Sequence, residues 1–321
     1  MKGAIDMRKI SIMLLLFFCA ITSLRAQKPA EIHKTFPVKA HVQISTASGD
    51  IIIKVSAQEE IKVDILYSGR AEGSFEPEFI ESGNRLKIKE HWSGFSSGNV
   101  TWTITVPSKT EIEFSTASGD VSVEGIKNMI NGETASGDIS VEDTNGELEL
   151  SAASGDISLE NVQGDADLST ASGDIKAREL KGKIEMSTAS GDIKISEAEG
   201  SLELSCASGD IEADKVILKE ASSFSTASGD VEVGLAQSPV DDLELSTASG
   251  DIVLDYNGNE LKGYFECTVR KDRGRISAPE QFQKEVELER HGKNYVKRSF
   301  SRGEKPKIIL ETSSGSIRLS Q

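Results

Sequence analysis

The sequence predicts an all-β chain folded as a parallel β-solenoid of the β-helix or β-roll type, built from two-strand coils of 18 residues with a cap at each end. Three observations predict it. The tetrapeptide Ala-Ser-Gly-Asp occurs nine times, ending at Asp50, Asp120, Asp138, Asp156, Asp174, Asp192, Asp210, Asp230 and Asp251. From Asp120 to Asp210 the copies lie 18 residues apart five times running, and then 20 and 21 apart. Between copies, apolar residues return at every second position, the period of a strand buried on one face, and not every 3.6 residues as in a helix. An antiparallel sandwich is the structural rival, but a fixed period with equivalent copies favours parallel stacking of identical positions.

One unit, residues 147–164, shows the elements in order. Leu148, Leu150 and Ala152 alternate with Glu149, Ser151 and Ala153, a strand with its apolar side inward. Ser154-Gly155-Asp156 is a turn, in which Gly permits unusual dihedrals and the Asp carboxylate accepts backbone N–H bonds at its own turn. A second strand follows with Ile157 and Leu159 inward, and Val162 fills the next corner. One coil has too little core to fold alone, so only stacking buries these residues.

The residue before each Ala-Ser-Gly-Asp completes the register. Thr116, Thr134, Thr170, Thr188, Thr226 and Thr247 share the parity of their strand's leucines and should point inward and stack. Cys206 takes this position in one coil, and Cys267 is expected to take it again, three coils further on. At that separation, about 14 Å, a disulfide cannot form, since Cα atoms must approach to ~7 Å. Two free, buried thiols are predicted.

The ends must differ, since bare solenoid edges template aggregation. Residues 27–114 form an N-terminal coil and cap region. Strand-like runs there include Glu60 to Leu66, Arg85 to Lys89 and Val100 to Val106, and it holds both tryptophans, Trp92 and Trp102. Residues 115–251 are the regular array, with one aromatic, Phe224, and no His. Residues 252–321 hold degenerate coils, a charged insertion from Pro279 to Pro306, and a tenth, altered copy, Ser313-Ser314-Gly315-Ser316. A single solenoid domain over 27–321 is expected.

Residues 1–26 read as a cleaved signal peptide: Lys2, Arg8 and Lys9, then the apolar run Ile10 to Thr22, then Leu24-Arg25-Ala26. The run falls short of the ~20 residues of a membrane-spanning helix. Phe18 before Cys19 argues against lipidation there. The mature chain is thus expected outside the cytoplasm, in the periplasm, at the outer membrane or on the surface, with no transmembrane segment. Charge is uneven: residues 115–251 carry 29 acidic and 8 basic side chains, and residues 252–321 carry 10 and 14. So acidic a rod repels phosphates, which excludes nucleic acid as a partner.

Composition leaves several functional readings. A calcium β-roll is suggested because 18 is twice nine, but Asp occurs once per coil and the opposite turn lacks a consistent carboxylate. An ice-binding face needs outward Thr, and parity turns these inward. A pectin-lyase-like enzyme needs long loops, and the four His residues (His33, His41, His91, His291) are scattered, with no nucleophile–base pair or metal triad. No catalytic, cofactor or metal residue is assigned. Arg270, Lys271, Arg273, Arg275, Lys293, Lys297 and Arg298 could dock on the acidic rod of another copy, or form a solvated cap.

Thr103-Ile104-Thr105-Val106-Pro107, Glu111-Ile112-Glu113-Phe114, the Ser-Thr-Ala-Ser-Gly-Asp-Ile units and the terminal Leu310 to Ile317 resemble the bacterial putative-adhesin β-solenoid family, over roughly residues 38–320. That family is similar to the auto-transporter adhesin head (GIN) domains. The resemblance implies a cell-envelope protein that binds an envelope or extracellular protein or glycan, or serves as a scaffold, without catalytic residues or cofactor. Some relatives are linked to envelope-stress signalling, which implies a sensing or regulatory role as the alternative.

Overall fold

The computed structural model describes residues 30–69, 75–93 and 98–321, so the signal-peptide reading of residues 1–26 falls outside the described residues. The described chain is all β, and the parallel β-solenoid expected from the repeat is the fold observed.

Each coil contributes one strand to each of two stacks. In the first stack, Glu111–Thr116, Ile130–Thr134, Leu148–Ala152 and Ala166–Thr170 pair in parallel and in strict register, so that Ile112, Ile130, Leu148 and Ala166 lie directly above one another. In the second, Val121–Glu124, Ile139–Asn145 and Ile157–Gln163 do the same, aligning Val121, Ile139 and Ile157. Alternation puts Leu148, Leu150, Ile157 and Leu159 in the core, with Glu149 and Glu160 outside. Val162 closes the corner above Thr144 and below Leu180. One continuous apolar core runs from Val42 to Leu319.

Both ends deviate from chain order in the same way. His41–Thr46 and Gly49–Val55 stack directly on the coil at 111–124, although 70 residues separate their Asp turns. From the intervening chain, Arg85–Lys89 and Gly98–Val106 add parallel layers and Glu78–Ser82 and Glu60–Gly69 add antiparallel strands, and the preceding strand Ala30–Pro37 pairs antiparallel with Glu60–Gly69 to finish the end. At the other end, Lys307–Thr312 and Ile317–Ser320 stack on the coil at 243–255, ahead of Gly263–Arg270 in space. Lys293–Arg302 and Lys284–Arg290 then close that edge antiparallel. The charged insertion is thus a capping hairpin.

This order corrects the placement of Cys267. It aligns with Leu310, and Val269 takes the position opposite Thr312. Cys206 aligns through Thr226 and Thr247 to Thr312, one layer before Cys267. The cysteines are therefore four layers apart. Both are free and buried, and burial pushes each thiol up to about 12.

Candidate functional site

The repeated turn is the first place to look, because it lines up nine carboxylates. Its carboxylates are already engaged, though not where the sequence suggested. Each Asp Oδ1 accepts the backbone N–H of the Asp one coil further on: Asp120 from Asp138 at 3.0 Å, Asp138 from Asp156 at 2.9 Å, and Asp156 from Asp174 at 2.9 Å. The ladder runs from Asp50, which accepts from Asp120, to Asp251, which accepts from Ser316 at 2.7 Å. The expected bond within the same turn gives way to one between turns, because stacking brings the next coil's N–H within reach of the carboxylate. The Asp192 N–H and, less strongly, the Lys176 ammonium hold the Asp174 carboxyl below its ordinary value against partial burial. Among the described residues no three His, Cys, Asp or Glu side chains gather as metal ligands would.

The threonines bind coil to coil from the inside. Thr170 accepts the Gly173 N–H and donates to the Gly155 carbonyl of the preceding coil, both at 3.1 Å. Thr188, Thr226 and Thr247 make the same donation to Gly173, Gly209 and Gly229. All six threonines are buried, so the stacked Thr column forms no outward face. Gly in the turn is required by closeness: a Cβ on Gly173 would lie 2.0 Å from the Gly155 carbonyl oxygen.

The outer faces carry what chemistry the array exposes. On the first stack, Glu149, Asp167, Glu185 and Glu203 stand in register on successive coils, beside the hydroxyl column Ser151, Ser169, Ser187 and Ser205. Lys183 sits beside the carboxylate column, paired with Glu185. On the second stack the outer face is mixed. Lys176 lies 3.4 Å from Asp174, Lys194 lies 3.2 Å from Glu212, and Arg178 pairs with Glu160 and Glu179.

The basic C-terminal residues are largely spoken for. Arg270 pairs with Asp272 at 2.7 Å, Lys297 with Glu266 at 2.6 Å, Arg298 with Glu285 at 2.8 Å, and Lys271 with Glu287. These partners lie within the cap itself, which favours the solvated-cap reading over docking on another rod. Sequence reasoning missed the mixed face altogether, although the signal was present: Lys176 and Lys194 are one coil length apart.

A profile of the family described as Toastrack DUF4097 matches residues 39–277. No curated protein matches the sequence. Among solved structures, the fold is similar to a putative lipid binding protein from Parabacteroides distasonis, 15% identical, covering 92% of this chain and 97% of that one, with a TM-score of 0.47. It is similar also to a putative adhesin from Parabacteroides merdae, 12% identical, covering 92% and 97%, with a TM-score of 0.41. A putative adhesin from Bacteroides fragilis is 14% identical, covering 90% and 97%, with a TM-score of 0.34.

Proposed function

The chain belongs to the Toastrack DUF4097 family, and from that premise we propose that it is a non-catalytic binding or structural module of the cell envelope, exported by a signal peptide at 1–26 and folded as one solenoid domain over 27–321. The supporting observation is the column Glu149, Asp167, Glu185 and Glu203, held in register on a stiff sheet with its hydroxyl neighbours. Such a face offers a repeated array of acceptors to an envelope or extracellular protein or glycan, and a strand scaffold holds it without ordering cost on binding. The carboxylates of the Asp ladder build this face, and contribute to recognition only through the field they add.

The test is capture of envelope components on the 27–321 protein and on a variant with Glu149, Asp167, Glu185 and Glu203 changed to Lys. Capture should fall at least tenfold in the variant while its circular dichroism stays unchanged. Equal capture by both proteins overturns the acidic-face reading. A knockout strain with normal attachment and altered envelope-stress expression would replace it with a regulatory role. A melting temperature unchanged in EDTA removes the cation-stabilised alternative.

A further inference from the structure

The cations of the array are concentrated. Of the eight Lys and Arg side chains in residues 115–251, five lie between Lys176 and Lys194. Three of these, Lys176, Arg178 and Lys194, project from the outer face of the second stack into one shallow hollow of about 510 Å³. The backbone at Leu159, Ala177 and Ile195 forms its floor, their side chains being turned into the core, and Ser158 and Ser196 bring hydroxyls to it. Along the rod the hollow reads carboxylate, cation, carboxylate: Glu142 and Glu160 on one side, Glu212 and Asp214 on the other.

Lys176 and Lys194 are direct neighbours on adjacent strands. Like charges opposite each other disfavour a sheet, and no packing demand places them there, since both are exposed. Their present partners are solvated: Lys176 lies 3.6 Å from Asp156 and 3.4 Å from Asp174, and Lys194 lies 3.2 Å from Glu212, with about half of each lysine side chain exposed. Solvated pairs contribute little, so a ligand group can replace an internal partner at low cost.

We propose that this hollow binds a saccharide carrying a carboxylate flanked by free amines. The carboxylate sits between Lys176 and Lys194 with Arg178 in reach, the amines face Glu160 on one side and Glu212 and Asp214 on the other, and the sugar hydroxyls meet Ser158 and Ser196. Coils are ~4.8 Å apart, so amine and carboxylate must be separated by one or two coil spacings, as in adjacent residues of a chain alternating amino sugar and uronic acid. A polyanion would run onto the carboxylates at either end, and a polycation would set ammonium groups against the lysines. The hollow lies on the other stack from the carboxylate column of Glu149 to Glu203, and the proposal does not depend on that column.

Calorimetric titration of the 27–321 protein with four probes tests it. These are an unsulfated glucosamine–glucuronate hexasaccharide, its N-acetylated parent, a chitosan hexamer and polygalacturonate. The first should bind at least tenfold more tightly than the others and weaken with added salt. The variants K176E/K194E and K176Q/K194Q should each lose at least tenfold in that affinity while retaining the parent's melting temperature and its capture of envelope components through the other face. Equal or tighter binding of either homopolymer, unchanged binding by folded K176Q/K194Q, or no binding of the amine-bearing hexasaccharide overturns the proposal.

Discussion

The regular array and the two caps solve opposite problems with different chemistry. In the array each side chain's main neighbour is its own counterpart one coil away, so a small vocabulary suffices: Leu and Ile inside, Thr at the corner, Gly and Asp in the turn. Repetition of this kind has no means of ending itself. The caps therefore turn antiparallel and use aromatics, with Phe75 packed on Tyr67 at 4.6 Å and Trp92 at 5.0 Å at one end, and Phe265 stacked on Phe300 at 4.5 Å at the other. The column of turns is finished by other residues at both ends. Glu90, which follows the layer Arg85–Lys89, accepts the N–H groups of Ala47 and Ser48 in the first copy, at 2.8 and 3.2 Å. At the other end Ser316 stands where other copies have Asp and donates its N–H to Asp251, and Gly274 and Arg275 cover it, with the Arg275 carbonyl accepting the Ile317 N–H at 2.8 Å. The outermost strand Ala30–Pro37 carries Lys34 at the core-facing parity of Ile32 and Phe36, a charge that discourages another strand from adding there.

Array and cap differ most at glycine. Gly173→Ala forces a methyl to within 2.0 Å of the Gly155 carbonyl and must spread two coils, so a loss of about 3 kcal/mol or more is expected. Gly83, in the N-terminal cap, has open space around its Cβ position and is glycine only for its φ of 55°. Gly83→Ala should cost about 1–2 kcal/mol. Urea melts of the two variants check this, and equal losses would refute the claim that stacking distance selects glycine in the array.

The ladder comes next. Asp156→Ala removes the acceptor for the Asp174 N–H and should cost about 1–3 kcal/mol. Asp156→Asn keeps an acceptor oxygen and removes a charge from a column of like charges, so it should cost far less. If Asn is as damaging as Ala, charge and not acceptance holds the coils together. Acidification probes the same column. The Asp174 carboxyl is depressed in the folded protein, chiefly by the Asp192 N–H, so the stability it confers is complete above the usual carboxylate range and is lost as pH falls through its lowered value. The melting temperature should drop as pH falls below about 4, and less steeply in Asp174→Asn.

Much of this was legible from period alone. The 18-residue spacing fixed coil size, and alternation identified the inward residues, the buried threonines and the burial of both thiols, because all of these depend only on parity within one strand. Relations between coils were not legible. The ladder bond runs to the next copy, which a single unit does not contain. The excursion through residues 51–110 hid the stacking of the first copy on the second, and the return of Lys307–Ser320 between two earlier segments shifted Cys267 by one layer. The mixed face appears only when Lys176 is set beside Lys194, across strands, and not along the chain.

The smallest effect separates a position under stacking control from one under backbone control. Just before the corner that Val162 fills, successive coils place Asp143, Asn161, Glu179, Glu197 and Lys215 in the left-handed region, with φ of 52° to 57°. Asp and Asn tolerate that region because their short side chains bond locally, whereas Glu and Lys do so poorly. These side chains reach solvent and are not held by a close backbone approach, in contrast to the turn glycines. Glu197→Asn should therefore stabilise the protein by about 0.5–1 kcal/mol, even though it gives up an exposed 3.8 Å pair with Lys215 that is worth little. The control Glu149→Asn lies in a strand of ordinary β conformation and should gain nothing, so an equal gain at both sites would trace the effect to lost negative charge and remove the backbone explanation.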